Sequence, residues 1–276
     1  MAGGAVTRFA PSPTGPLHLG HAYAALVADA RGQMLLRIED IDRARCKPEW
    51  EAAIFEDLRW LGLRWPAPVM RQSDRQAVYA QALAKLEAMG VTYRCACSRG
   101  DIRAALSAPQ EGAAMIGPDG PVYPGLCRDK GIAAPDAAIR LDMARAMALL
   151  GQISFDDSGQ DHAGRHLKTA PELIETIGDI ALARRDLGTS YHLSVVVDDA
   201  AQGITEVTRG ADLFEATAIH VVLQRLLGLP TPAYHHHRLI RDDQGKRLAK
   251  RDDARALAKY RAEGATPQDI RHILGI

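Results

Sequence analysis

The stretch RFAPSPTGPLHLGHAYAAL (residues 8–26) decides the fold, because it predicts how the first strand is joined to the first helix. Its prolines and glycines all precede His21, and apolar residues at helical spacing then continue to about Ala30. Gly32 ends this helix, and a strand is predicted from Met34 to Glu39. The chain is therefore expected to open with a strand, a loop, a helix and a second strand.

The next residues predict a further alternation of helix and strand. Pro48 stands at the first position of a predicted helix that continues to Gly62. Ser73 and Gln76 have the spacing of a capping box, ahead of a helix that Gly90 ends. Such alternation is typical of a parallel sheet, so the predicted class is α/β.

The second half of the chain predicts a return to the same sheet. YHLSVVVDD (residues 191–199) has the apolar, β-branched character of a buried strand, and ITEV (204–207) follows it. A long helix is predicted from about Leu213 to Leu227. Two C-terminal helices are expected, the second opened by Thr266, Pro267 and Asp269.

Composition and charge exclude several classes of protein. The 276 residues are 47% hydrophobic and 25% charged, which excludes a disordered chain. Lys and Arg number 34 against 34 Asp and Glu, so the whole molecule has no net attraction for a polyanion. The N-terminus lacks a signal-peptide pattern, and no apolar run approaches the roughly 20 residues that span a bilayer. A cytoplasmic protein without membrane contact is expected.

Cysteines are concentrated in the middle of the chain. From about Val91 to Lys168 short strand patterns and a Gly/Pro-rich loop predict a small inserted domain. Cys95 and Cys97 stand two residues apart, a spacing that disfavours a disulfide but lets two thiolates share a zinc ion. With Cys127 the segment offers only three sulfur ligands, so these residues leave metal binding open. Cys46 has no assigned role.

The link before the first helix suits an anion. The first N–H groups of a helix and the positive end of its dipole point out of its N-terminus. Gly20 lacks a Cβ that would keep a nucleotide away, and His18 and His21 can donate hydrogen bonds to phosphate oxygens. A capped turn with a solvent-facing histidine has the same pattern, so these residues alone leave both interpretations open.

Four stretches, in order, resemble motifs of a known family. PSPTGPLHLGH (11–21) resembles the HIGH motif of class I aminoacyl-tRNA synthetases, and RFAPSPTG (8–15) resembles its form in glutamyl-tRNA synthetases. RIEDID (37–42), VVVDDAAQGITEVTRGADL (195–213) and GKRLAKR (245–251) resemble later motifs of the same enzymes. The resemblance covers most of the chain and implies a Rossmann-like parallel sheet of the class I synthetase type.

The resemblance also implies the binding residues. Glutamate would be bound by residues of the first, second and third of these stretches and by one tyrosine just before the third: Arg8, Phe9, Ala10, Pro11, Ser12, Glu39, Tyr191 and Arg209. ATP, with Mg²⁺, would be bound by His18, Gly20, His21 and Lys250, of which both histidines and the lysine would be catalytic. A carboxylate for the ammonium of glutamate and an arginine for its side chain are the groups that this substrate needs.

The motif around Lys250 departs from the family. The stretch resembles the KMSKS loop, in which the second lysine contacts the phosphates of ATP. Arg247 takes the first lysine position and Ala249 the serine position, so a positive charge is kept and a hydroxyl is lost. Without the resemblance, the stretch is a solvated basic turn.

Two further clusters are placed outside the site. Asp198 and Asp199 follow the predicted buried strand, where carboxylates commonly cap a turn. The three histidines 235–237 lie on a predicted extended stretch, where neighbouring side chains point to alternate faces, which argues against a shared metal ion.

The C-x-C…Y-x-x-x-C pattern resembles that of shortened relatives of glutamyl-tRNA synthetase. In these the tyrosine completes a structural zinc site, which implies one Zn²⁺ bound by Cys95, Cys97, Tyr123 and Cys127. Residues 1–92 and 169–233 are expected to form the catalytic domain, 93–168 the insertion, and 234–276 the KMSKS-like loop and terminal helices. Only 25 residues follow Arg251, which predicts that no anticodon-binding domain is present.

The shortened relatives imply a specific reaction. They activate glutamate with ATP without tRNA and transfer it to queuosine in the anticodon of tRNA(Asp), and a monomer is expected. Three alternatives stay open: a truncated glutamyl-tRNA synthetase that charges acceptor ends, a small-molecule nucleotidylyltransferase, and a catalytically silent RNA-binding relative. The glutamate-type motifs argue against the second, and Arg247 and Ala249 keep the third open.

Overall fold

The structure is a computed structural model that describes residues 4–107, 115–241 and 255–276. The strands are β1 Val6–Phe9, β2 Gln33–Ile38, β3 Met70–Arg71, β4 Thr92–Cys95, β5 Ile116–Gly117, β6 Gly120–Pro121, β7 Ala138–Leu141, β8 Gln152–Asp157, β9 Gly164–Thr169, β10 Ala181–Ala183, β11 Glu206–Gly210 and β12 Ala233–His237. The helices are α1 Leu19–Arg31, α2 Pro48–Trp60, α3 Gln76–Ala88, α4 Arg99–Ser107, α5 Met143–Leu150, α6 Ala170–Thr176, α7 Tyr191–Ala201, α8 Thr217–Leu227, α9 Leu257–Ala262 and α10 Pro267–Leu274.

Parallel strands form the centre of the molecule. Strand β2 lies between β1 and β3, and β12 lies between β11 and β8, all in parallel pairs, with β9 antiparallel to β8 at the edge. Val6 at the start of β1 donates to Thr205 Oγ1 at 2.9 Å and accepts from the Thr205 N–H at 3.0 Å, just before β11. The two groups of strands therefore meet at β1 and β11, and the predicted α/β class is confirmed.

A second, antiparallel sheet carries the cysteine segment. It has the order β10-β7-β4, and β5 and β6 form a separate hairpin. Strand β8 and most of β9 lie inside the range 93–168 predicted for the insertion, but β8 pairs with β12 of the central sheet and β9 pairs with β8. Within the described residues, the part of that range that belongs to the separate antiparallel sheet therefore ends before β8, and the division into domains stays a prediction.

Two apolar clusters hold these layers together. One joins α3, α5, α7 and α8 to the sheets and includes Tyr79, Leu141 and Leu223, each fully buried. The other packs α1 and α2 against β2, and Leu257 and Ile270 bring the C-terminal helices onto it. No helix in the described ranges combines the length and the apolar character needed to cross a bilayer.

The prediction of a strand at residues 191–199 is wrong, because this stretch forms helix α7. Ser190 caps the helix, with its side chain accepting from the Leu193 N–H at 3.3 Å. Eight consecutive residues, 192–199, are buried. A helix buried on all sides shows no 3.6-residue periodicity, and its three valines favour strand by propensity alone, so the sequence pattern misled.

Two smaller predictions differ in outcome. The capping box at Ser73 is wrong, since a short 3₁₀ turn precedes α3, Arg75 is the N-cap residue, and the Ser73 N–H donates to Asp40 Oδ1 at 2.8 Å. The start of the last helix is confirmed, with Thr266 Oγ1 accepting from the Asp269 N–H at 3.2 Å and Asp269 Oδ2 accepting from the Thr266 N–H at 2.7 Å.

Candidate active site

A cavity of 370 Å³ lies where β1 and β11 end, beside the N-terminus of α1. Most of the predicted glutamate and ATP residues line it together: Arg8, Phe9, Ala10, His18, Gly20, His21, Glu39, Tyr191 and Arg209. The carboxyl ends of neighbouring parallel strands are where α/β proteins commonly bind ligands. The described part of the chain thus brings residues that are up to 201 positions apart in sequence to one cavity.

Two of the remaining predicted residues do not line this cavity. Pro11 is buried and accepts from the Glu39 N–H at 3.0 Å, and Ser12 is exposed; neither is among the described residues that line the cavity. Lys250 lies outside the described residues. The chain resumes close to the cavity, because Leu257 donates to the Leu17 carbonyl at 2.8 Å and Ala256 pairs with His18.

The two histidines of the first motif cap helix α1. His18 Nδ1 accepts from the Gly20 N–H at 3.1 Å, and His21 Nδ1 accepts from the His18 N–H at 3.2 Å. The capped turn, one of the two interpretations that the sequence left open, is thus present. Both side chains also line the cavity. In each ring Nδ1 is an acceptor, which places the proton of the neutral imidazole on Nε2, where it can donate to a ligand.

Arg8 is held by a buried carboxylate. Its Nε donates to Asp199 Oδ1 at 3.1 Å and its Nη1 donates to the Thr208 carbonyl at 3.0 Å. Burial would raise the pKa of Asp199, but Arg8 and Arg37 together hold it below its usual value. The positive charge of Arg8 is therefore balanced inside the protein.

Glu39 belongs to the same row of alternating charges. Arg37 donates through Nη1 to Asp199 Oδ1 at 2.7 Å and through Nη2 to Glu39 Oε1 at 3.1 Å. Burial raises the pKa of Glu39, while Arg37 and Arg8 oppose that rise. Glu39 keeps its second oxygen for a cation in the cavity that it lines.

The interpretation of Asp198 and Asp199 as residues that cap a turn is wrong, and neither is among the described residues that line the cavity. Both lie in α7 and are buried, rather than capping a turn. Asp198 accepts from Gln72 at 2.9 Å, Arg75 at 2.6 Å and Tyr79 at 2.8 Å. These hydrogen bonds join α7 to α3 and to the residues just before it.

Arg209 is surrounded by neutral acceptors. Its Nε donates to His236 Nε2 at 3.0 Å, its Nη1 to His220 Nδ1 at 2.9 Å and its Nη2 to Thr217 Oγ1 at 2.6 Å. Its side chain is almost fully buried, and burial lowers its pKa. Among the described residues, no carboxylate is hydrogen-bonded or ion-paired to Arg209. Its charge is therefore uncompensated on a cavity wall, and an anion there would balance it.

Several wall residues were not found from the sequence. Thr208 and Asp212 lie one residue before and three residues after Arg209. His237 is the last residue of β12, and Arg238 and Ile240 follow that strand. His236 hydrogen-bonds Asp157 through Nδ1, while His235 Nδ1 lies 3.0 Å from Ser158 Oγ. The prediction that the three histidines do not share a metal ion agrees with these separate partners, but two of them support or line the cavity. The sequence signal that could have found them is their position at the end of a predicted extended stretch, because α/β proteins commonly bind ligands at the carboxyl ends of their strands.

The four predicted metal ligands lie together in the antiparallel part. The sulfur atoms of Cys95, Cys97 and Cys127 are all within 4.8 Å of one another. Tyr123 Oη lies 3.4 Å from Cys95 Sγ and 3.3 Å from Cys97 Sγ. Tetrahedral zinc with Zn–S bonds of about 2.3 Å separates its sulfur ligands by about 3.8 Å, so this donor set fits zinc. Despite burial, hydrogen bonds from Tyr123 and its neighbours lower the pKa of Cys127 to about 7, whereas burial raises the pKa of Cys97 to about 11 and also raises that of Tyr123. Of these three groups, Cys127 is therefore the one closest to the deprotonated form that a metal needs.

Comparison with known proteins agrees with this geometry. The family described as tRNA synthetases class I (E and Q), catalytic domain, matches residues 5–129 and 143–275. A glutamyl-Q tRNA(Asp) synthetase of Rhodobacter capsulatus is 62% identical over 98% of this chain and 100% of its own length. One of Symbiobacterium thermophilum is 40% identical over 95% of this chain and 83% of its own length.

Solved structures show the same architecture. A glutamate tRNA ligase from Elizabethkingia meningosepticum, crystallised with its amino acid, superposes with a TM-score of 0.73 at 27% identity. The match covers 95% of this chain and 58% of that ligase. A methionyl-tRNA synthetase of Mycobacterium tuberculosis, 11% identical with a TM-score of 0.64, shares the fold. The chain therefore belongs to the class I tRNA synthetases and, within them, to the glutamyl-Q tRNA(Asp) synthetase family of ligases.

Proposed function

We propose that this chain activates L-glutamate with ATP, without tRNA, and transfers the glutamate to queuosine in the anticodon of tRNA(Asp). The names of its relatives support the acceptor and the amino acid. The observation that carries the first step is Arg209, a buried cation on the cavity wall whose hydrogen-bond partners in the described residues are all neutral. A ligand with a carboxylate supplies the missing charge, and an uncharged glutamine side chain does not.

Glutamate is bound by opposite charges on two sides of the cavity. Its side-chain carboxylate pairs with Arg209, and its ammonium group lies against Glu39 and Tyr191. Arg8, already neutralised by Asp199, contributes hydrogen bonds rather than net attraction. The α-carboxylate is left facing His18 and the start of α1.

In the activation step a carboxylate oxygen of glutamate attacks the α-phosphorus of ATP, and the bond to pyrophosphate breaks. The helix N-terminus, His18 and His21 stabilise the negative charge that develops on the phosphates. Lys250 is proposed to contact the departing pyrophosphate, and Mg²⁺ bound with ATP neutralises phosphate charge. The glutamyl-adenylate then gives its acyl group to a hydroxyl of queuosine, releasing AMP.

One Zn²⁺ bound by Cys95, Cys97, Tyr123 and Cys127 is proposed to hold β4 and the following loop in place. Arg140 stacks on the ring of Tyr123 at 3.8 Å from its centre, which ties β7 to the same cluster. Arg128, the residue after Cys127, pairs with Asp179 at 2.7 Å. The zinc is a structural element and takes no part in the transfer chemistry.

Exchange of labelled pyrophosphate into ATP tests the first step. Glutamate without tRNA is expected to support exchange, and glutamine is not. Transfer of labelled glutamate to tRNA(Asp) with and without queuosine tests the second step. No exchange with glutamate, or efficient charging of unmodified tRNA(Glu), would contradict the proposal.

A further inference from the structure

A buried pair of histidines extends from Arg209 to the β5–β6 hairpin. His220 on α8 accepts from Arg209 through Nδ1, and its Nε2 lies 3.0 Å from Nδ1 of His192 on α7. His192 Nε2 lies 3.3 Å from Oδ1 of Asp119, in the turn between β5 and β6. Both imidazoles are less than a tenth exposed, whereas Asp119 is half exposed. Hydrogen bonds join Arg209, His220 and His192, and the carboxylate of Asp119 lies within ion-pair distance of the last ring.

The two ends of this row of side chains determine the protons between them. A guanidinium can only donate and a carboxylate can only accept. His220 must therefore leave Nδ1 unprotonated for Arg209 and carry its proton on Nε2, from which it donates to His192. His192 therefore accepts on Nδ1 and carries its proton on Nε2, the nitrogen that lies 3.3 Å from the Asp119 carboxylate. Each ring is neutral and has a single tautomer.

We propose that His220 is a positioning residue that holds the Arg209 guanidinium in its glutamate-binding orientation, and that His192 and Asp119 fix the tautomer of His220 for this purpose. The inference rests on the proposed binding of glutamate by Arg209. Through Asp119, which stands four residues before Tyr123, the β5–β6 hairpin then contributes to the affinity for glutamate. A neutral acceptor at this position orients Arg209 without neutralising it, so its charge stays available for the substrate.

Replacing His220 tests the orienting hydrogen bond. His220→Leu removes the acceptor, and we expect the KM for glutamate in pyrophosphate exchange to rise about 10-fold or more, as for a lost hydrogen bond to a charged group. We expect kcat and the KM for ATP to change by less than about threefold. His220→Gln can accept from Arg209 with its carbonyl and donate to His192 with its amide, so it is expected to restore the KM for glutamate.

A surface pair of variants tests the far end without disturbing the core. Asp119→Ala removes the last acceptor, and the KM for glutamate is expected to rise about threefold, while Asp119→Asn, which keeps an acceptor oxygen, is expected to stay near the wild-type value. The matched control is Asp136→Ala, at an exposed aspartate of the same segment. These proteins remain informative if His220→Leu does not fold.

Two-bond ¹H–¹⁵N spectra of the wild-type chain with labelled histidine give a readout independent of activity. Signals of neutral Nε2–H tautomers are expected for His192 and His220, and a shift of His192 is expected in Asp119→Ala. An Nδ1–H tautomer of His220, or an unchanged KM for glutamate in both His220→Leu and Asp119→Ala, overturns the inference alone. A wild-type chain without glutamate-dependent exchange instead overturns the proposed function.

Discussion

Arg8 and Arg209 face the same cavity and are equally buried, each 6% exposed, yet their surroundings are opposite. Arg8 is paired with the carboxylate of Asp199, which also binds Arg37. Arg209 is bound by two imidazoles and a hydroxyl. The two sides therefore differ in charge rather than in burial, and this difference indicates which arginine attracts a carboxylate from solution.

The ion pair of Arg8 contributes mainly to the stability of the fold, whereas the unpaired charge of Arg209 contributes mainly to ligand binding. Removing one partner of a buried ion pair is costly, because it leaves an uncompensated charge in the interior. A cation with neutral partners has no such pair to break, and its burial is an energetic cost that the substrate offsets when it binds. We therefore expect the Arg8 side to respond to substitution mainly through stability and the Arg209 side mainly through glutamate binding.

The largest effect on activation is expected for Arg209→Gln. Arg209 is the only buried arginine among the described cavity residues that is not ion-paired with a carboxylate, and its loss should lower kcat/KM for glutamate in pyrophosphate exchange roughly 1,000-fold. Arg209→Lys serves as the control for charge alone and should recover little of this, since an ammonium has three N–H donors, too few for His236, His220, Thr217 and a carboxylate, and lacks the planar fork that pairs with a carboxylate through two parallel hydrogen bonds. Exchange within tenfold of wild type in Arg209→Gln would contradict the assignment.

Asp199→Asn should have the next largest effect, with stability as its main readout. The amide leaves Arg8 and Arg37 without their shared counter-charge, so unfolding in urea should show a loss of about 3–5 kcal/mol. Activation should fall roughly 100-fold because Arg8 and Glu39 lose their positions. Arg209→Gln is the matched comparison and should lose less stability. The reverse order would remove the distinction between the two sides.

Acidification should weaken the Arg209 side through its histidines. Burial and Arg209, against the opposing effect of Asp157, lower the pKa of His236 from 6.5 to about 4. Thr217 and His162 are its other close neighbours. Burial and Arg209 also lower the pKa of His220. The folded state binds fewer protons than the unfolded state between these values, so stability is full above pH 6.5 and falls as the pH drops toward 4.

Urea unfolding and glutamate KM at pH 7 and pH 5 measure this effect. From His236 alone we expect a loss of about 2 kcal/mol, because the unfolded chain takes up the proton at pH 5. Glutamate KM should stay within about twofold, since a pKa of about 4 leaves about nine tenths of His236 unprotonated in the folded protein at pH 5. Asp199 does not titrate in this window, because the two arginines keep its pKa low. His236→Gln should show a shallower dependence on pH. An equal dependence in that variant would contradict the role given to His236.

The smallest effect on activation is expected in the cysteine cluster. Elemental analysis should find one zinc per chain, and Cys95→Ser should lose it and melt at a lower temperature, because the other ligands remain but the tetrahedron is incomplete. Exchange with glutamate should change less than about threefold, since the cluster lies outside the cavity. Cys46→Ser is the control and should keep its zinc. Native protein without zinc would remove the metal assignment.

Local patterns predicted the parts of the structure that depend on local rules. The sequence correctly predicted helix α1 and the strand that follows it, the helix that begins at Pro48, and the helix start at Thr266. Helix α7 was predicted as a strand, because complete burial erased the periodicity by which a helix is recognised. With that error Asp199 was assigned to a turn, and its contact with Arg8, 191 residues away in sequence, was not foreseen.

The sequence by itself determined which chemical groups this protein has for glutamate and ATP, since ordered motifs encode residue types. It also determined the cysteine–tyrosine set, whose members are close along the chain. Only the tertiary structure decided the charge state of the cavity, because Asp199 neutralises Arg8 while His220 and His236 leave Arg209 uncompensated. Electrostatic balance depends on distances between distant segments and on exclusion of water, and neither is written in local sequence.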